Sequence, residues 1–142
     1  MDTCRWSRSA AAAIEHASPR WAGVWSLLYT TGTAATTLAT HVSLLAGSEL
    51  TWAGMSLRWA RDEIELAHGE LPFTSRTVDL GDLRADDDPA IAGAVLGDLA
   101  AAILERLRTM TEAGGAPETA DLANRVASLV RSAKPAFAEP AS

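Results

Sequence analysis

Two apolar seams, each advancing in alternating steps of three and four, constrain this 142-residue chain more than any other feature. Val24, Leu28, Thr31, Ala35, Leu38, Val42 and Leu45 form the first; Leu50, Ala53, Leu57, Ala60, Ile64, Ala67 and Leu71 form the second. Such a step keeps side chains on one face of an α-helix, whereas a strand would scatter them over both faces. Between the seams, Gly47 reads as a helix stop and Ser48 as a fresh N-cap. Matched seams on so short a connection predict an antiparallel helical hairpin over residues 19–71. Ser18-Pro19 supplies its cap and first-turn proline, and Gly69 and Pro72 close it.

Beyond the hairpin, residues 72–88 are polar and carry Asp79, Asp82, Asp86, Asp87 and Asp88, a connection long enough for a crossover rather than a tight turn. Asp88-Pro89 opens a helix over 89–113, with Leu96, Leu99, Ile103 and Met110 on one stripe and Gly114-Gly115 as its stop. Pro117 opens another over 117–133, with Leu122, Val126, Leu129 and Val130 inward; Glu118 and Asp121 near its start and Arg131 and Lys134 near its end suit the helix dipole. A short helix over 7–17 is expected ahead of the hairpin. The expectation is an all-α chain folded as a four-helix bundle. The bundle domain is expected to span 19–134, preceded by an N-terminal segment 1–18 and followed by a flexible tail 135–142.

Charge and composition exclude several functions. The formal charge of −6, from 12 Lys and Arg against 18 Asp and Glu, repels phosphate backbones and anionic lipid surfaces. A single cysteine, Cys4, rules out an intramolecular disulfide framework and a Cys-rich zinc site. Residues 21–48 carry no charged side chain and are long enough to span a bilayer. Six Thr, three Ser and three Gly dilute that stretch, so it reads as a buried bundle helix instead. Glu15 and His16 cut short any signal-peptide core, and cytoplasmic residence is the expectation. Abundant alanine, and eleven arginines to the single Lys134, look like the codon usage of a GC-rich bacterial genome.

Chemistry has few places to sit. Glu65 and His68 have the i,i+3 spacing of di-iron bundle ligands, but no second such pair exists, so neither metal nor cofactor is expected. Arg61 with Glu65 reads as an i,i+4 ion pair on a solvated face. With the hairpin closed at Gly47-Ser48, His41 lies level with Gly54, poised either to line a small cavity or to bond a backbone carbonyl. In the same register Trp25, Tyr29 and Thr30 come level with Arg61, Glu65 and His68. Trp25, Tyr29, Arg61, Glu65 and His68 are the candidate ligand site, with Glu65, His68 and His41 as acid–base candidates. Trp52, Met55, Trp59 and Leu66 form a further apolar stripe, offset from the seam, which either faces a partner or is covered by the last two helices. The expected function is therefore non-catalytic: an interaction or accessory protein that self-associates through this Trp/Met-rich face. The alternative is a small-molecule-binding protein or small enzyme, with isomerase- or cyclase-like acid–base chemistry in a pocket inside the bundle.

Overall fold

Helix signals in the chain are obeyed with few exceptions. In a computed structural model that describes residues 4–138, the elements are α1 (Trp6–His16), α2 (Trp21–Ala39), α3 (Leu44–Ala67), the single turn α4 (Leu71–Thr74), α5 (Pro89–Glu112), α6 (Pro117–Ala133) and a 3-10 turn, Lys134–Phe137. The chain is all-α. Asp88 caps α5 by accepting the Ala90 N–H at 2.9 Å, ahead of Pro89. α2 starts two residues later than expected, yet the Ser18 hydroxyl still accepts from Arg20 N–H and Gly23 N–H, at 3.2 and 3.1 Å. The uncharged stretch does not form one rod; it breaks at residues 40–43. No helix among the described residues is long and apolar enough to cross a membrane.

The position of that break is a correction. The hairpin turns at 40–43, where Ser43 adopts an extended backbone and its hydroxyl accepts the Ala46 N–H at 3.3 Å. Gly47 is not the stop but a buried position inside α3: a Cβ there would lie 2.7 Å from the Ala39 carbonyl oxygen, so only glycine lets the helices approach this closely. Val24, Leu28, Thr31, Ala35 and Leu38 are buried as the first seam requires, but Leu45 belongs to α3 and is 76% exposed. The second seam is buried from Leu50 through Ile64.

The four long helices pack in the cyclic order α2, α3, α6, α5, each against two neighbours. α3 and α5 lie across a diagonal, so the connection between them must carry the chain back along the bundle. It runs beside α2. Ser26 donates to the Arg76 carbonyl at 2.7 Å, Thr30 to the Val78 carbonyl at 2.8 Å, and His41 Nε2 meets the Leu83 carbonyl at 3.2 Å. From Ser26 to the end of α2 at Ala39, thirteen residues rise about 20 Å, and seven residues of the strap span up to about 23 Å. The strap from 76 to 83 thus keeps pace with α2, parallel to it, and buries Leu80 and Leu83. This return sets α5 antiparallel to α2.

Both ends of the described segment join the core. Trp6 is fully buried on α1, which packs on α5, and its indole donates to the Gly81 carbonyl of the strap at 2.9 Å. Cys4, in the N-terminal segment 1–18, is buried as well. The expected loose tail is ordered as far as Ala138, because Phe137 seats in the core beside α3, α5 and α6. Residues 139–142 of that expectation lie outside the described residues.

Candidate functional site

The outer face of α3 departs most from the pattern of a buried core. A bundle helix needs one apolar stripe, and α3 has that stripe in Leu50, Ala53, Leu57, Ala60 and Ile64. It carries a second. Leu45 (76% exposed), Trp52 (62%), Met55 (41%), Trp59 (44%) and Leu66 (86%) stand in solvent. Leu45, Trp52, Trp59 and Leu66 are each seven residues apart, so they share one side of the helix, with Met55 filling the middle. The last two helices do not cover this face. Charge rims it: Arg58 stands 3.8 Å from Asp62 on one edge, and on the other Arg125 of α6 donates to Glu63 at 3.0 Å.

At the open end of the hairpin, α2 and α3 bring together most of the candidate ligand site. Trp25, 3% exposed, donates its indole N–H to Glu65 Oε2 at 2.9 Å. Trp25 and Tyr29 stack with centroids 5.8 Å apart, and the Arg61 guanidinium lies 5.6 and 5.1 Å from the two centroids. Burial pushes the Arg61 guanidinium below its ordinary range, with Arg58 beside it acting in the same direction. A cation resting on two rings is a cation–π arrangement. The guanidinium thus occupies ring faces on which a planar ligand would stack, and the Glu65 carboxylate is engaged by the indole. His68 is elsewhere: it is the C-cap of α3, its ring 5.8 Å from that of Trp21. Thr30 turns to the strap instead.

His41 sits at the hairpin turn rather than opposite Gly54, whose neighbours are Thr36 and Gly32. Its Nδ1 lies 3.1 Å from the Thr37 carbonyl, and its Nε2 meets the Leu83 carbonyl, with Asp82 Oδ1 at 3.8 Å. Of the two roles expected for His41, the backbone-bonding one matches these contacts. No group of three His, Cys, Asp or Glu side chains among the described residues is placed to hold a metal ion.

Arg106 went unnoticed in the sequence. From α5 it donates to the carbonyls of Ile14, Ala17 and Ser18 at 2.8, 3.0 and 3.1 Å, so one cation closes the C-terminus of α1 and the link to α2. Its place between Leu104 and Leu107 was the available signal, a charge beside core positions of a helix. Compared with known proteins, the chain matches no family model, no curated protein and no solved structure.

Proposed function

We propose that this protein works by association, through the outer face of α3, and that its partner is a second copy of the same chain. The observation behind this reading is the row Leu45, Trp52, Met55, Trp59 and Leu66, exposed along about 31 Å of helix. Burying large aromatic side chains is the main source of interface energy, and contiguous apolar surface at this scale marks interaction sites. The charged pairs at both edges provide a polar rim around an apolar centre.

Spacing selects the partner. The row reads the same in both directions, Leu-Trp-Trp-Leu at equal intervals about Met55 and Ser56. A two-fold axis there sets Trp52 against Trp59 of the partner subunit and Leu45 against Leu66 of the partner subunit. A self-complementary patch is what an isologous dimer requires. Light scattering after size exclusion tests the idea. Wild-type protein is expected as a dimer and Trp59→Glu as a monomer with unchanged helical circular dichroism. A wild-type monomer up to millimolar concentration would overturn the reading.

A further inference from the structure

We propose that a second site, sharing no residue with the α3 stripe, binds a small amphipathic carboxylate in the cleft between α1, α2 and the strap. α1 packs on α5, buries Trp6 and Ala10, and is joined with the α2 link by Arg106, so its opposite side stands off from α2. The residues facing one another there are too small to close the gap, and a cleft of about 500 Å³ remains. That volume falls within the usual range for metabolite pockets, and the lining is mainly apolar. Ala12 and Ala13 of α1 form one wall, Ala22 and Leu27 of α2 the other, and Val78 of the strap the third.

The polar groups specify the ligand's charge. Ser26 and Thr30 line the cleft but spend their hydrogens on strap carbonyls. Ser75, also lining it, has its hydroxyl shielded from solvent with no hydrogen-bond partner among the described residues. His16 bonds the Ala12 carbonyl through Nδ1 at 2.8 Å, which leaves Nε2 unspent. Arg76 belongs to none of the ion pairs among the described residues. The two ionisable side chains of the cleft are thus His16 and Arg76, and no carboxylate lines it, although the chain carries 18 acidic residues. An aliphatic body against the alanines with a carboxylate at Arg76 matches this lining in shape and sign.

Decanoate, kept below its micelle concentration, is the probe, with decylamine as the charge control. Amide and indole resonances of labelled protein give the location, and titration calorimetry gives the affinity. Decanoate is expected to bind saturably and to shift Ala13, Ser26, Thr30 and Ser75 while leaving the Trp52 and Trp59 indoles in place. Arg76→Glu, an exposed position whose backbone carbonyl holds the fold, is expected to weaken binding at least about tenfold, the worth of a charge-assisted hydrogen bond. Ala13→Trp, and Ala12→Trp at a more exposed wall position, are expected to abolish it. Trp59→Glu is expected to bind as wild type does, which separates this site from the association face. Absence of saturation, shifts confined to α3, an Arg76→Glu protein that binds as wild type, or equal binding of decylamine would each overturn the proposal.

Discussion

α2 and α3 form the two halves of one hairpin, yet they use side chains in opposite ways. α2 carries no charged residue and is rich in threonine, and two of its hydroxyls are inside: Thr30 and Thr31 are 1% and 0% exposed. α3 carries six charged residues, and its tryptophans are outside. The reason lies in what each helix touches. α2 is flanked by α3, α5 and the strap; Ser26 and Thr30 donate to strap carbonyls, and Thr31 donates to the Leu27 carbonyl of its own helix. α3 meets α2, α6 and the 3-10 turn, and among the described residues one apolar side of it is left in solvent. Polarity on α2 therefore serves the fold, while apolarity on α3 is left in solvent, where the proposed association would bury it. Residue type alone would have suggested the reverse.

Substitutions can break that contrast. The largest effect is expected on α2 at Gly23, where a Cβ would lie 1.7 Å from the Ser18 carbonyl oxygen. Gly23→Ala should cost at least about 3 kcal/mol of unfolding free energy, because backbone rather than a flexible side chain must move; a near-wild-type urea midpoint would contradict the packing described. Next, Trp59→Glu on α3 should weaken dimerisation by about 2–4 kcal/mol with little change in monomer stability. Sedimentation equilibrium measures the first quantity and monomer melts the second. A monomer that unfolds on this substitution would make α3's outer face structural after all.

Thr30→Val keeps the shape and removes the donor to the Val78 carbonyl. It is expected to cost about 1–3 kcal/mol and to raise hydrogen exchange along the strap. An unaffected strap would mean that Leu80, Leu83 and the contacts from Trp6, Ser26 and His41 hold it without Thr30. The smallest effect is expected at the solvent-exposed cluster on α5. There the hydrogen bond from Arg108 holds the Glu105 carboxyl below its usual range. A depressed folded-state pKa stabilises above the unfolded pKa, and the contribution is lost as pH falls through the folded one. The melting difference between wild type and Glu105→Gln should therefore be near the resolution of the measurement at neutral pH and vanish in acid. A difference that persists in acid would assign it to helix propensity.

The hairpin, α5 and α6 were legible because their seams, caps and prolines agree. The hairpin break was misplaced because glycine serves two purposes, ending helices and permitting close approach, and Gly47 does the second. The error moved facing residues by about one turn. Trp25, Tyr29, Arg61 and Glu65 still met, since a shift of one turn preserves the face, whereas His68 went to Trp21 and His41 to the strap. The stripe of Trp52, Met55, Trp59 and Leu66 was visible as a second periodicity, though not whether α6 would cover it. The cleft at Arg76 had no signal, because one of its walls, residues 74–78, lies far in sequence from the other two.

The sequence by itself determined most of the helical residues and which side of each long helix would be apolar, since both follow from periodicity and from local capping. Tertiary structure alone decided which apolar sides were covered and which hydroxyls were spent. Those outcomes depend on the strap running beside α2 and on α1 docking to α5. Contacts so far apart along the chain are chosen by the competition among whole packings, and no local pattern records that competition.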